Sequence, residues 1–228
     1  MKRTAVLIAA ACSMAIGANA NVITVSTPSG AVEPGTGLPV DASATFTTGT
    51  GTVTVTLNNL LANPTSVAQL ISDISFGLTS GQTSGTLASS VGTDRTVNGN
   101  GSFLDGSTGT RTGWQIDTGL HLTALGGGQP TELIIGPPDG SGNYSAANGS
   151  IAGNGPHNPF TGLSATFVIN VPGVNVDSSV NDIVFSFGTT AGDNVPVNPP
   201  RGVPDGGTTV LLLGAALSGL GLIRRKLS

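Results

Sequence analysis

Serine and threonine hydroxyls are plentiful in this 228-residue chain, but a hydroxyl attacks a carbonyl only with a base beside it. Two histidines are available, His121 and His157. No Gly-x-Ser-x-Gly elbow occurs to present a serine to either. His121 sits between Leu120 and Leu122 and points away from the face those leucines share, which suits solvent or a sheet edge. His157, in Gly155-Pro156-His157-Asn158-Pro159, reads as a group that orders its loop by hydrogen bonding, with ligand or catalytic roles as the alternatives. Glycoside cleavage needs two carboxylates facing each other across a sugar-sized gap. In the body only Glu33 and Glu132 are glutamates, and most aspartates precede glycine or lie in loops, where they make turns.

Metal chemistry has slightly more material. Asp105-Gly-Ser-Thr and Asp139-Gly-Ser-Gly-Asn present the hard oxygens that calcium takes. Neither has the spacing and closing glutamate of an EF-hand, nor the nonapeptide of a calcium β-roll. The expectation is no cofactor, with a structural calcium as the one ion the residues leave room for. Sugar binding by a β-protein calls for flat exposed rings. There is one tryptophan and one tyrosine. Trp114 lies in an apolar-polar alternation and reads as core, whereas Tyr144 in the acidic loop is the surface candidate. Asp139, Tyr144 and His157 therefore form the candidate ligand loop.

These residues must be positioned by strands. Gly, Thr, Ser, Asn and Val dominate the body, and β-branched residues fit a pleated, half-buried surface. Val22–Val25, Ala44–Thr47 and Thr52–Leu57 alternate with period two, with Val53, Val55 and Leu57 on one face. A turn or helical connector at 65–70 leads into a strand at 71–79. Strands follow at Thr86–Val91, Gly113–Ile116, Leu120–Thr123 and Glu132–Ile135. Asn98-Gly99-Asn100-Gly101 and Asp105-Gly106 are two hairpin-turn signals. Residues 139–162 form one long loop, the length of a binding loop or flap. Leu163–Val171 and Asp182–Phe187 close the domain. The expectation is an all-β, antiparallel, jelly-roll-like β-sandwich.

Charge narrows the partners. Between Asn21 and Val203 there is no lysine, and three arginines (95, 111 and 201) face eleven acids, an excess of eight negative charges. Such a surface repels phosphate backbones, so nucleic acid is excluded as a partner. The single cysteine, Cys12, lies in the N-terminal apolar segment, which leaves the body without disulfides or thiolate sites.

The two ends read as addresses. Lys2-Arg3, the apolar run Ala5–Ile16 and Ala18-Asn19-Ala20 have the form of a signal peptide cut by signal peptidase after Ala20. Ala9-Ala10-Ala11-Cys12 offers a degenerate lipoprotein site as the alternative. The expected organisation is 1–20 signal helix, 21–190 sandwich, 191–202 proline-rich spacer and 203–228 tail. The tail runs Val203-Pro204-Asp205-Gly206-Gly207, an uncharged stretch from Thr208 to Ile223, then Arg224-Arg225-Lys226. As a transmembrane helix that stretch spans about 24 Å, short of the ~30 Å hydrocarbon core. The basic cluster leaves the C-terminus in the cytoplasm and the body outside.

This tripartite tail resembles the PEP-CTERM class of sorting signals in its VPDSG-type variant, with Gly206 where the variant usually has serine. The resemblance implies an exosortase, a membrane transpeptidase-like enzyme, as partner. An ordinary single-span anchor is the alternative. The loop 155–160 and the strands at 165–167 and 183–188 are similar to a domain common in secreted PEP-CTERM proteins, which implies a β-rich fold and no activity. The function expected is an exported, transiently anchored component of the envelope or exopolysaccharide matrix that is not an enzyme. The alternative is a carbohydrate-binding module, with or without calcium.

Overall fold

The computed structural model describes residues 20–126 and 130–197. The expected signal helix, the transmembrane helix and all of the tail lie outside them. Twelve strands are present: β1 Asn21–Ser26, β2 Ala42–Gly49, β3 Thr52–Asn59, β4 Ile71–Leu78, β5 Thr86–Val97, β6 Phe103–Thr110, β7 Gln115–Asp117, β8 His121–Thr123, β9 Ile134–Ile135, β10 Phe160–Asn170, β11 Val180–Phe187 and β12 Asn194–Pro196. The described residues contain no α-helix, only a 3-10 turn at Val67–Gln69. That turn is closed by a capping box between Ser66 and Gln69, which satisfies donors the turn leaves free.

β3 shows how the sequence drives the pairing. Thr52–Asn59 alternates without interruption between half-buried and buried positions. Val53, Val55 and Leu57 are fully buried, each contributing about 1.5–3 kcal/mol. On the other face the threonines pair across strands, Thr24 with Thr45 and Thr56 with Thr166 at 3.0 Å. Such pairs stabilise a sheet by a few tenths of a kcal/mol to ~1 kcal/mol.

The antiparallel run β1-β2-β3-β10 continues through β5 to β6. A second antiparallel run is β12-β11-β4-β8-β7. The two face each other: Phe46 of β2 meets Phe76 of β4 edge-on at 5.1 Å, and Trp114 meets Phe167 of β10 at 4.8 Å. They are not separate sheets. The short β9 pairs parallel to β10 and antiparallel to β4, joining all twelve strands into one mostly antiparallel hydrogen-bonded sheet. In sequence β3 is followed by β4 and β10 by β11, so the pair β3–β10 in one run continues as the pair β4–β11 in the other.

Several boundaries differ from the sequence reading: β5, expected to end at Val91, runs on to Val97, and the strand expected over 132–135 is only Ile134–Ile135. Asp105-Gly106 is not a turn but the middle of β6. Asp105 stands opposite Arg95 and is captured by it. A Cβ at Gly106 would come 3.1 Å from that of Asp94, so the glycine serves a close approach. The 139–162 loop ends earlier, at the start of β10 at Phe160. The body also runs past 190, because β12 pairs with β11 and buries Val195.

Candidate functional site

The segment between β9 and β10 is not a structureless flap. It is a string of turns packed over a second apolar cluster of Leu70, Val97, Leu133, Ile135, Tyr144, Ile151 and Phe160. Asn148 N–H donates to the Thr65 carbonyl and Tyr144 N–H to the Gly101 carbonyl, both at 2.8 Å. Gly101 has φ +81°, and a Cβ there would sit 2.7 Å from the Tyr144 carbonyl oxygen. This is why the Asn-Gly-Asn-Gly turn is needed under the loop.

Tyr144, expected at the surface, is only 1% exposed. Its ring packs edge-on to Phe103 at 5.6 Å. Its hydroxyl accepts from Arg95 Nη1 at 2.9 Å and donates to the Gly136 carbonyl at 2.8 Å. Burial pushes the phenol's pKa up, although Arg95 opposes that. The ring lies inward because the apolar cluster takes up its body while the Arg95 guanidinium and the Gly136 carbonyl satisfy its hydroxyl. Tyr144→Phe is expected to cost about 2 kcal/mol, since it leaves two buried polar groups each short of a partner. Urea denaturation with an unchanged m-value would show it.

Arg95 is the hub. It is 5% exposed, forks onto Asp105 through Nε and Nη2 at 2.6 and 2.7 Å, and lies 4.1 Å over the Phe103 ring. Burial disfavours its charge, but the bonds to Asp105 and Tyr144 prevail and raise its pKa. Its hydrogen bonds to Asp105, with its charge, hold that carboxyl below the usual range against the opposing effect of burial. A guanidinium thus occupies the carboxylate that the sequence had offered to calcium. Arg111, 3% exposed, pairs with Asp94 and lies 3.9 Å from Glu132. Glu132 also accepts from Gly113 N–H at 2.7 Å, and its carbonyl takes Trp114 Nε1 at 2.9 Å. Among the described residues no lysine or arginine reaches the surface.

The other two residues of the candidate loop are committed elsewhere. One oxygen of Asp139 accepts from Ser141 Oγ at 2.7 Å, Ser141 N–H at 2.9 Å and Asn143 N–H at 3.1 Å, and the other from Ser145 Oγ. The hydroxyl of Ser145, then that of Ser141, then the Asn143 amide hold its carboxyl far below the usual range. His157 Nδ1 bonds the Pro130 carbonyl at 2.9 Å. The three polar groups do not share a partner. Among the described residues no three His, Cys, Asp or Glu side chains gather as a metal would require.

His121 is half-buried and its Nε2 lies 3.3 Å from Asp73. The hydrogen bond to Asp73 raises its pKa, burial opposes this, and the Asp73 and Asp117 charges add to the rise. A raised histidine stabilises the fold fully below its ordinary value of ~6.5. That contribution is lost as pH climbs through the raised value. Solvent screening limits it to about 1 kcal/mol or less. Asp73→Asn should flatten the dependence in thermal melts taken from pH 5 to 9.

The buried salt links were not legible in the sequence. The one available signal was scarcity: a body with no lysine and few arginines has placed two of them in strand or strand-end positions.

Fold and tail together define a β-protein carrying a C-terminal sorting signal. That signal is the VPDSG-CTERM motif, matched over residues 202–227. It is a PEP-CTERM-type exosortase signal and marks the chain as exported and processed at its C-terminus at the membrane. No curated protein and no solved structure matches the chain.

Proposed function

We propose that this protein is a structural or interaction component of the envelope or exopolysaccharide matrix, transiently anchored by its tail and acting without catalysis. The observation that carries the reading is the sorting motif itself, which assigns the chain a route and a processing enzyme. The body suits such a destination. Its strand pairs β3–β10 and β4–β11 suggest a jelly-roll-like sandwich, and its described arginines are turned inward, leaving an acidic exterior that favours solubility. Among the described residues neither histidine ring is hydrogen-bonded to a serine or threonine hydroxyl that it could activate; they meet Asp73 and the Pro130 carbonyl instead. A glycan-binding reading has less to stand on, because Tyr144 is buried and offers no platform.

Intact-mass analysis of the exported protein tests the proposal. The expected species lacks residues 1–20 and the 208–228 peptide. A mature protein that keeps the latter would refute processing.

A further inference from the structure

Among the described residues four strands pair on one side only: β1, β6, β7 and β12. Three of these edges are guarded. β12 is three residues long and ends in Pro196, and β7 is three residues long and carries Asp117. β6 is longer, but its ladder to β5 breaks in a bulge between Thr93 and Arg95, and its Asp105 is turned onto Arg95. Short length, proline, bulges and inward charges are the devices that keep a free edge from pairing with another chain. β1 has none of them. Asn21–Ser26 reads Asn-Val-Ile-Thr-Val-Ser, without charge, proline or glycine, and it pairs with β2 in unbroken register. Charge singles out the same side of the molecule. β1, β2, β3 and β10 carry no charged side chain, whereas the other run has Asp73 in β4, Asp117 in β7 and Asp182 in β11. A body with a large negative excess repels its own kind, so two copies meet at least cost where like charges are missing.

The outer face of this charge-free run carries a row of threonines. Thr24 stands opposite Thr45, Thr45 opposite Thr56 and Thr56 opposite Thr166. Hydroxyls join the first and last of these pairs at 3.0 Å. The row stops at β1, where Thr24 is exposed and Val22 is 53% exposed. We propose that β1 is the contact through which two copies of this chain pair, edge to edge and antiparallel, about a two-fold axis at Thr24. The occupant follows from the strand's own pattern. Side chains alternate between faces, so a strand opposes itself face to like face only when the axis passes through a residue. An axis at Thr24 sets Ile23 against Val25 of the second copy and Val22 against its Ser26. The threonine row then continues across the contact, Thr24 to Thr24. These are the β-branched and hydroxyl pairs that stabilise a sheet. An axis at Ile23 would instead oppose Val25 with Asn21, whose amide is committed to Ser178 and Ser179. Self-pairing closes the unguarded edge on both copies, and a contact this short makes the dimer reversible.

The test uses the exported protein as recovered from the cell, in a Cys12→Ser background so that an added thiol is unique. Sedimentation should show a dimer that grows with concentration. Thr24→Lys should weaken it about tenfold or more, by setting two cations directly opposite each other on the edge. Oxidation should link Thr24→Cys to its own copy, because opposed residues lie ~4.5–5.5 Å apart at Cα, within the reach of a disulfide. Val22→Cys should link roughly tenfold more slowly or not at all, since its two copies sit about 13 Å apart along the strands. Both positions are exposed, and circular dichroism checks that each variant folds. Should Thr24→Lys fail to fold, the two cysteines decide by themselves. A protein that is monomeric at every concentration overturns the proposal. So does a dimer indifferent to Thr24→Lys, or equal linking of the two cysteines, either of which means association through another surface such as the tail.

Discussion

Arg95→Ala should destabilise the body by about 3 kcal/mol, whereas Asp105→Asn should cost about 1 kcal/mol. The asymmetry follows from burial. Asp105 is 42% exposed at its side chain while Arg95 is 6%. Water can therefore replace the guanidinium at Asp105, and the ion pair itself is worth about 1 kcal/mol or less. Removing Arg95 also empties the space its aliphatic stem fills, which costs ~1–2 kcal/mol. The contact over the Phe103 ring adds about 0.5–1 kcal/mol, and the Tyr144 hydroxyl loses a charged donor. For a body of this size the loss lowers the melting temperature by roughly 6–12 °C. Arg95→Met, which keeps the stem without the charge, should fall between the two. Equal losses for Arg95→Ala and Asp105→Asn in urea titrations would mean that the charge pair, not the stem, carries the site.

The second large effect concerns the tail. Changing Pro204 and Asp205 together to alanine should reduce C-terminal processing about tenfold or more, equivalent to at least ~1.4 kcal/mol of recognition. The exported chain should then accumulate in the membrane fraction with its C-terminal peptide attached. Proline suits such a motif because it biases the residue before it toward extended backbone, the form in which processing enzymes read a segment. The substitutions lie beyond β12 and should leave the circular dichroism of the body unchanged. Normal release of the double variant would remove the motif from the account. Opposite behaviour is expected of the core: Phe167→Ala should lose the Trp114 contact and ~3–5 kcal/mol of stability, with the tail still recognised in whatever fraction folds.

Much of the architecture could be read from residue order. β3 falls almost where the alternation placed it, because a period of two admits only one choice of buried face, whereas β4, whose first four residues are all buried, was legible only from its β-branched residues and flanking glycines. The 3-10 turn before β4 was visible as a break between periods, and Ser66 and Gln69 explain it locally. β6 was not visible. Asp-Gly is a strong local turn signal, and it was overridden by a bidentate partner one strand away. β12 was hidden for a related reason: three residues ending in proline carry no pattern of their own, and only β11 makes them a strand.

The candidate loop shows the same division. Its turns, built on Asp139-Gly140 and Asn148-Gly149, follow from side chains that bond their own backbone two residues on. Where its aromatic ring points does not. Tyr144 alone is equally compatible with a sugar platform and with a core, and the choice depended on Arg95, Phe103 and Gly136, from three other parts of the chain.

The address, the β-rich class and the acidic, cysteine-free character of the body are properties of sequence alone, since composition, periodicity and a contiguous motif suffice to define each. Only the tertiary structure decided that Arg95 and Arg111 lie inside and that Asp105 answers to Arg95. Each of those depends on residues distant in sequence meeting in space, and a linear pattern holds no record of such meetings.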